Sequence, residues 1–473
     1  MDKKDLKDHK QLGQEQELFF TNEIAPGAPF WLPRGMIIFK QLEKYIRELT
    51  SKNGYQETST PIMVKTQLFK KSGHWDKFGE GGGHDMYNLN LLEPEERARV
   101  LIEIKKIDGE MLKDLVSEPS RHLVKNLPVS DNENVDIDFY YLGKDTDGSD
   151  KYYWSTVNYT LKPMNCPEST VIYRFRPRSY RELPLRLSEI GRLHRREQSG
   201  EINGLLRVRQ LTMDDAHIYC TEEQIFDEIS SILDMQNELY QNLGFEVEFK
   251  LATRPEKRAG TDEMWDKAEK DLENVLKQKK LKYTMKDQDG AFYGPKIDVQ
   301  IKDSLGREWQ LATTQLDFHM PQAFDLKYID NNGKEARPVM IHRAILGSFE
   351  RFTGILIEHL QGIFPIWLAP TQIVILPISQ KVSEYAQSIY ATLLENGIRV
   401  ELNEDDKPIG AKIREATLQK APYMCIIGGQ EQEASKKDKK LIVSVRTRAG
   451  EDLGSMDLDD LILRAKKEIE KKI

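Results

Sequence analysis

Apolar residues recur every three to four positions over residues 34–53, and this period predicts a helix. The repeated apolar positions are Ile38, Leu42, Tyr45, Ile46 and Leu49. The pattern ends at Asn53-Gly54, a pair that favours the end of a helix. The sequence therefore predicts an amphipathic helix that ends near residue 53.

The period of the pattern changes near Gly244. Residues 225–239 have the helical period, whereas residues 245–251 alternate between apolar and charged side chains, as a half-buried strand does. Ile297, Val299 and Ile301 alternate in the same way and predict a second half-buried strand. Strict alternation favours antiparallel over parallel pairing, so the pattern predicts a first unit of the α+β class.

A different order of elements follows Phe364-Pro365. The segment QIVIL predicts a strand, a helical pattern then runs to Gly397, and a strand over 398–402, a helix and the strand YMCIIGG come after it. This βαβαβ order is typical of a small α/β domain. The predicted boundaries are 1–365 for the first unit and 366–473 for the second.

The segment of about residues 88–150 is predicted to be an insertion into the first unit. The segment begins with a charged helical pattern and ends in the turn-rich run KDTDGSD. Residues 88–160 contain 9 basic and 15 acidic residues, so much of the acidic excess of the chain lies here. Surface filler, a dimer contact and an RNA contact all remain open as roles for the insertion.

Composition narrows the class of protein. The 473 residues are 39% hydrophobic and 31% charged, with a mean hydropathy of -0.59, which indicates a soluble globular chain. We expect no membrane span and no secretory leader, because no apolar run is long enough. Three scattered cysteines do not form a disulfide framework, so we expect a reducing, cytoplasmic location.

The net charge of -8 argues against a protein that coats nucleic acid, but residues 162–218 contain 11 basic and 7 acidic residues. Nearly all of the basic residues are arginines, which suit bidentate phosphate or carboxylate binding. Arg195 on one strand, Arg207 on the return strand and Arg351 at the start of a helix would together bracket a triphosphate. The alternative is a solvated basic face with surface ion pairs.

Several strings together resemble the class II aminoacyl-tRNA synthetases, and within them the threonyl-tRNA synthetase family. Pro61 in YQETSTPIM is similar to motif 1, HRREQSG through VRQLTMDDAH to motif 2, and VMIHRAILGSFERF to motif 3. KPMNCP, TRPEKRAG, AFYGPKI and TQLDF also resemble strings of that family, and only 88–150 lies outside the likeness. The resemblance implies an α+β catalytic domain with an antiparallel sheet, followed by a small α/β anticodon-binding domain.

The resemblance implies one Zn²⁺ per chain on Cys166, His217 and His342. Their spacing of 51 and 125 residues does not itself indicate a metal, and each alone could be a buried Cys or a hydrogen-bonded His. One thiolate and two imidazoles suit zinc and leave a coordination position open. The amino and hydroxyl groups of threonine could occupy that position. Valine would then be rejected for its missing hydroxyl, whereas serine would pass.

The resemblance also assigns the other site residues. Asp215, Tyr293 and Gln315 would bind threonine, with Lys296 near the carboxylate and the phosphate. The implied ATP-binding residues are Arg195, Glu197, Arg207, Gln310, Thr313, Ser348 and Arg351, with Mg²⁺ bridging the phosphates. His74 would help deprotonate the tRNA ribose, or else be a structural His beside Trp75. Glu431 and Arg446 would read the anticodon.

The chain departs from the family pattern at a few positions. Glu168-Ser169 replaces Gly-His, and Leu211-Thr212-Met213 replaces Phe-Thr-Gln, so an aromatic that would stack on adenine is missing. Asp406 stands where Asn is common, which removes an amide donor.

The implied function is activation of L-threonine with ATP and its transfer to tRNA(Thr). We expect a homodimer through helix 34–53 and the segment around Pro61, because the apolar helix face would otherwise have to be buried within the chain. The family's editing domain has no counterpart in these residues, so a separate protein is expected to hydrolyse Ser-tRNA(Thr). The alternatives are a sister class II synthetase (prolyl, glycyl, seryl or histidyl) and a non-catalytic tRNA-binding paralogue.

Overall fold

The computed structural model describes residues 6–77, 85–89, 159–303 and 306–472, together with the backbone of strands at 125–129, 133–144 and 150–156. The helical pattern predicted at the start of the 88–150 insertion lies outside these residues. No helix of the described residues is long and apolar enough to cross a membrane.

The helices and strands are numbered in chain order. The helices are α1 His9–Glu15, α2 Pro33–Lys52, α3 Gln67–Lys71, α4 His74–Lys77, α5 Cys166–Tyr173, α6 Ile225–Asn242, α7 Asp262–Gln278, α8 His319–Ala323, α9 Phe349–Leu360, α10 Ser383–Glu395, α11 Ile409–Leu418, α12 Gly429–Asp438 and α13 Leu458–Lys471. The strands are β1 Phe19–Phe20, β2 Phe30–Trp31, β3 Gln56–Glu57, β4 Met63–Lys65, β5 Tyr87–Leu89, β6 Lys125–Val129, β7 Glu133–Lys144, β8 Asp150–Thr156, β9 Tyr159–Leu161, β10 Leu185–His194, β11 Gln210–Cys220, β12 Val247–Ala252, β13 Tyr283–Lys286, β14 Lys296–Lys302, β15 Glu308–Asp317, β16 Tyr328–Ile329, β17 Glu335–Ala336, β18 Val339–Ser348, β19 Ile373–Pro377, β20 Val400–Leu402, β21 Tyr423–Ile427, β22 Ile442–Thr447 and β23 Asp452–Asp457.

An eight-stranded sheet forms the centre of the first unit, with the order β13-β12-β14-β15-β18-β11-β10-β3. Its five central pairings are antiparallel, and the two parallel pairings lie at its edges. Helices α6, α7 and α9 contact this sheet. The predicted α+β class with an antiparallel sheet is therefore confirmed.

Strand β14 corrects one expectation from the sequence. Alternation predicted a half-buried strand, yet the polar residues Asp298 and Gln300 are buried as well as Ile297, Val299 and Ile301. The apolar side chains join the main core, while Asp298 accepts a hydrogen bond from Thr313 Oγ1 at 3.0 Å. Both faces of the strand are therefore covered, one by the core and one by a polar cluster.

Helix α2 confirms the predicted amphipathic helix, but it contradicts the reason given for a dimer. The face containing Ile38, Leu42 and Ile46 packs into the main core of this chain and is almost fully buried. This apolar face therefore needs no second chain to cover it. Beside Pro61, however, Ile62 and Met63 are 42% and 44% exposed.

The second unit contains the predicted β19-α10-β20-α11-β21 order. Sequence reasoning missed the elements after β21: α12, the antiparallel strands β22 and β23, and α13 complete a five-stranded sheet of order β20-β19-β21-β22-β23. Arg34 at the start of α2 donates to Glu401 of β20 at 2.7 Å and to Thr371 at 2.9 Å. These bonds join the two units.

The insertion extends from a hairpin. Strands β5 and β9 pair antiparallel on either side of it, and between residues 125 and 156 β6, β7 and β8 form a three-stranded antiparallel sheet. The sequence pattern did not predict these strands. These strands lie in a different part of the segment from the predicted helical pattern, which falls outside the described residues.

Candidate active site

Strand register explains how residues far apart in the sequence meet. Lys296, Gln315, His342 and His217 are direct cross-strand neighbours on β14, β15, β18 and β11, and we call them the first row. Paired residues of an antiparallel sheet share a face, so these four side chains line one surface. A second row lies two positions along, and it contains Asp298, Thr313, Ala344 and Asp215.

The first row forms most of a candidate metal centre. Cys166, the first residue of α5, lies over the row, and one ligand atom each of Cys166, His217 and His342 lies within 4.8 Å of the others. His217 Nε2 and His342 Nδ1 are both buried and have no hydrogen-bond partner among the described residues. Two unpartnered imidazole nitrogens beside a thiol fit a zinc ion. A buried polar nitrogen without a partner is unfavourable, and a bound metal would give each of them one.

Electrostatics around these three groups also fit a cation. Burial lowers the pKa of His217 well below its usual value, which keeps the imidazole neutral and able to bind a metal. Burial and then the nearby Asp215 raise the pKa of the Cys166 thiol, so a thiolate here requires a bound cation.

Asp317 is a residue that sequence reasoning missed. Its Oδ2 lies 2.8 Å from His342 Nε2, while its Oδ1 accepts hydrogen bonds from the backbone N–H groups of His319 and Met320. A carboxylate behind a ligating His fixes its tautomer, so that Nε2 carries the proton and Nδ1 faces the metal position. The only sequence signal was the TQLDF string, which by itself does not assign this contact.

Asp215 in the second row is the candidate partner for an amino group. Its Oδ2 accepts a hydrogen bond from Asn165 Nδ2 at 3.0 Å and lies 3.9 Å from His217 Nε2. Burial raises the pKa of Asp215 to about 6, against the lowering effect of the Asn165 bond. A buried carboxylate with one amide donor is stabilised by an incoming cation. Its neighbour Asp214 faces elsewhere and accepts from Arg343 and from two backbone N–H groups.

Tyr293 and Gln315 close the same pocket. The Tyr293 hydroxyl donates to Gln315 Oε1 at 2.5 Å, and its ring centroid lies 4.8 Å from that of His342. Lys296 at the end of the first row pairs with Asp298 at 2.8 Å and with Asp289 at 3.2 Å. The residues predicted to bind the amino acid therefore lie together around the candidate metal position.

Arg195 and Arg207 lie in the loop 195–209 between β10 and β11, which we call the phosphate loop because the resemblance implies phosphate binding there. They were predicted on the strands themselves, but Arg195 follows the last residue of β10 and Arg207 precedes β11. Arg351 lies in the first turn of α9, as predicted. Burial and then the charges of Arg195 and Arg207 lower the pKa of Arg351, because three guanidinium groups lie close together. Such a cluster favours a bound polyanion.

Other predicted ATP residues already have partners. Arg207 is 44% exposed and donates two hydrogen bonds to Glu197 Oε2, which is the surface ion pair considered as its alternative. Ser348 caps α9 by accepting from the backbone N–H of Arg351. Thr313 and Gln310 lie on β15, the former bonded to Asp298.

His74, the first residue of α4, is fully buried. Its Nδ1 lies 2.7 Å from Ser72 Oγ, and its ring packs edge-on against Phe292 at a centroid distance of 5.3 Å. Burial lowers the pKa of His74 to about 3, so the imidazole is neutral. This environment fits the structural alternative, and a catalytic role for His74 stays a prediction.

Three of the positions that depart from the family pattern are buried: Glu168, Ser169 and Leu211. Burial raises the pKa of Glu168 to about 8, and neither of its carboxylate oxygens has a hydrogen-bond partner among the described residues. Ser169 Oγ lies 2.5 Å from the Tyr219 hydroxyl. Leu211 packs in a small aliphatic cluster with Leu193 and Val208. An aliphatic side chain, Leu211, thus lies where the resemblance implied a ring.

The two predicted anticodon residues lie near each other in the second unit. Glu431 in the first turn of α12 accepts hydrogen bonds from Gly428 N and from Ser444 Oγ, both at 2.7 Å. Arg446 lies two residues beyond Ser444 on β22, whereas Asp406 is exposed in the loop after β20.

Comparisons with known proteins agree with this arrangement. Residues 153–360 match the tRNA synthetase class II core domain (G, H, P, S and T), and residues 372–468 match the anticodon binding domain. A threonyl-tRNA synthetase structure from Cryptosporidium parvum Iowa II, described as the RNA binding domain, is 35% identical with a TM-score of 0.80 and 98% coverage of both chains. The chain belongs to the threonyl-tRNA synthetase family.

Curated members of the family are longer than this chain. Threonine–tRNA ligase of Caldanaerobacter subterraneus subsp. tengcongensis is 42% identical over 469 residues, which are 99% of this chain and 62% of that protein. The corresponding protein of Nitrosomonas europaea is 40% identical over 474 residues and is covered to 63% of its length. The chain thus spans less than two thirds of the length of the curated relatives that it matches.

Proposed function

We propose that the chain activates L-threonine with ATP and transfers it to tRNA(Thr). The observation that carries this proposal is the close approach of Cys166, His217 and His342 beside the buried Asp215, next to an arginine cluster. This combination provides one polar pocket for a hydroxy amino acid and one cationic site for a triphosphate.

In this proposal the pocket residues orient the amino acid. Asp215, held by Asn165, accepts hydrogen bonds from the substrate ammonium group and neutralises its charge. Tyr293 and Gln315 close the pocket on the side of His342 and restrict the size of the side chain that fits. The substrate carboxylate is then directed toward Lys296 and the arginines, where positive charge favours it.

Zn²⁺ on Cys166, His217 and His342 would supply a Lewis-acid centre with an open position for the amino and hydroxyl groups of threonine. Asp317 holds His342 in the tautomer that leaves Nδ1 free. The same pocket distinguishes threonine from serine only by one methyl group, which is worth about 10- to 200-fold.

ATP enters as its magnesium complex and lies against the phosphate loop. The threonine carboxylate attacks the α-phosphorus, the bond to the bridging oxygen breaks, and pyrophosphate leaves with its electron pair. Arg195 and Arg351 stabilise the charge that accumulates on the phosphate oxygens. The ribose of tRNA then attacks the carbonyl of the adenylate, and AMP leaves. His74, whose imidazole is neutral, is proposed to assist removal of the ribose proton.

The second unit is proposed to bind the anticodon through Glu431 and Arg446, within a domain that begins near residue 366. The family match to residues 372–468 supports this assignment. Aminoacylation of tRNA(Thr) by the purified, zinc-loaded chain tests the whole proposal. Threonyl-tRNA formation that depends on ATP supports it. Intact tRNA binding without any aminoacylation would instead indicate a non-catalytic tRNA-binding protein.

A homodimer is a second proposal, and it rests on family membership and on the exposed Ile62 and Met63 beside Pro61. Sedimentation at micromolar concentration should give twice the mass of 54.8 kDa, and an active monomer would contradict it. Three buried cysteines, none of them in a disulfide, support a reducing, cytoplasmic location.

Correction of serine errors in trans is also a proposal. A pocket that rejects serine only through a missing methyl group would accumulate Ser-tRNA(Thr), which a separate protein would have to hydrolyse. Incubation of the chain with Ser-tRNA(Thr) should leave it intact, and deacylation clearly above the spontaneous rate would contradict this.

A further inference from the structure

The N-terminal helix α1 places a buried histidine against two elements that hold ATP in the proposed function. His9 is 1% exposed and lies between α9, which carries Arg351, and the phosphate loop. Its backbone N–H and its Nδ1 contact Glu358 Oε1 at 3.0 and 2.7 Å, while its Nε2 accepts a hydrogen bond from the backbone N–H of Leu205 at 3.2 Å.

These contacts determine which nitrogen of His9 carries the proton. The N–H of Leu205 can only donate, so Nε2 must keep its lone pair, and Nδ1 must then donate to the Glu358 carboxylate. Glu358 also pairs with Arg307, which is bonded to Asp303 at 2.7 Å in the turn between β14 and β15. Glu358 is therefore fixed from two sides and holds the imidazole in one orientation.

The next residue of the loop connects His9 to Arg351. Leu206 is adjacent to Leu205, and its carbonyl oxygen accepts a hydrogen bond from Arg351 Nε at 2.8 Å. The backbone segment Leu205-Leu206 thus contacts both residues: the Leu205 amide donates to His9, and the Leu206 carbonyl accepts from Arg351. A shift of this segment would move the Arg351 guanidinium directly.

Two glycines lie where the loop, His9 and α9 approach one another most closely. A Cβ atom at Gly204 would lie 2.2 Å from His9 Nε2, and Gly204 also has a positive φ of 51°. A Cβ atom at Gly354 of α9 would lie 3.1 Å from both Leu205 and Leu206. The two glycines allow the loop, the histidine and α9 to approach one another closely.

We propose that His9 is a positioning residue for ATP, which sets the phosphate loop and, through Leu206, the guanidinium of Arg351. This inference rests on the proposed function, since it assigns ATP to that loop. His9 lies outside the motifs that resemble the family's catalytic strings, and its buried ring contacts Glu358 and the backbone of Leu205. Its effect is transmitted by the hydrogen bond to Leu205.

Two matched variants separate the two hydrogen bonds of the ring. His9→Asn keeps a donor at the position of Nδ1, facing Glu358, but loses the acceptor for Leu205. His9→Gln places an amide oxygen near the position of Nε2 and restores that acceptor. Gln11→Ala, an exposed side chain of the same helix, is the control.

In ATP/pyrophosphate exchange, His9→Asn should raise KM for ATP roughly two- to tenfold, the range for loss of one buried hydrogen bond, and leave KM for threonine unchanged. His9→Gln should recover most of this loss, and Gln11→Ala should match the wild type. Equal rises of both KM values, or no rescue by His9→Gln, would overturn the inference in favour of a general structural role.

Amide hydrogen exchange measures the loop without any activity. Overlapping peptides that cover 199–209 should show faster exchange at Leu205 in His9→Asn than in the wild type, with His9→Gln in between. Unchanged protection of Leu205 in His9→Asn would overturn the inference. A wild type with protected Leu205 but no exchange of pyrophosphate would instead count against the proposed function alone.

Discussion

The first row and the phosphate loop hold their side chains by different means. The first row lies on four strands that are each paired on both sides, so ladder hydrogen bonds fix its backbone. The phosphate loop lies beyond the ends of β10 and β11, and it depends on bonds from other elements, such as that from Arg351 to Leu206. We infer that the side proposed to bind the amino acid is rigid, and that the side proposed to bind ATP depends on contacts made by distant segments.

The largest effect is expected from removal of a metal ligand. Cys166→Ala should lower the zinc content from about one ion per chain to near zero, because only two of the three protein ligands remain. Threonine-dependent pyrophosphate exchange should be abolished with it. Cys220→Ala, which removes a buried thiol of the main core, should keep both. Zinc content by mass spectrometry checks this, and full zinc in Cys166→Ala would show that Cys166, His217 and His342 do not form the metal site.

A smaller but still large effect is expected on the ATP side. Arg351→Ala should lower kcat/KM for ATP by about 10²- to 10³-fold, because it removes a donor to the phosphates, while zinc content stays at the wild-type level. Arg337→Ala is a matched control, since Arg337 pairs with Asp325 on the surface. If Arg351→Ala also lost zinc, the two sides would not be separate.

Asp317→Asn tests the support of the first row. The amide oxygen can still accept from the backbone at His319 and Met320, but the charge facing His342 is lost. We expect zinc affinity to fall by about 10- to 100-fold in a chelator competition, with the fold intact. An unchanged affinity would mean that the strands alone orient His342.

The smallest effect concerns Glu350 in the first turn of α9, which accepts a hydrogen bond from Thr212 N at 2.8 Å. Burial raises its pKa from 4.5 to about 7, so the folded chain keeps this proton to a higher pH than the unfolded chain. The contribution of Glu350 to the free energy of unfolding is greatest below about pH 4.5 and is lost as pH rises through about 7. Glu350→Gln should therefore increase the free energy of unfolding at pH 8 by roughly 1 to 2 kcal/mol, with little change at pH 5. Thermal unfolding at both pH values measures this, and equal effects at both would be contrary to it.

Local patterns predicted much of the fold. The hydrophobic period was sufficient to predict α2, α6 and the elements of the second unit up to β21, because residues close in the sequence determine each of these elements. The strands β22 and β23 and the burial of Asp298 were missed. Both depend on what covers a strand, and period alone does not contain that information.

The site was predictable mainly through resemblance. Cys166, His217 and His342 are 51 and 125 residues apart, and only the register of β11 with β18 brings the two histidines together. Asp317 and His9 act through single hydrogen bonds across the fold, which no spacing rule reveals. The local density of arginines indicated the cationic site. It did not indicate that Arg195 and Arg207 lie in the loop and not on the strands.

The most direct test of the central claim compares threonine, valine, serine and proline in ATP/pyrophosphate exchange with the zinc-loaded chain. A pocket that recognises the hydroxyl group through the first row should give strong exchange with threonine, none with valine or proline, and exchange with serine about 10- to 200-fold weaker in kcat/KM. Valine activated as well as serine would contradict recognition of the hydroxyl group and, with it, the proposed role of Cys166, His217 and His342.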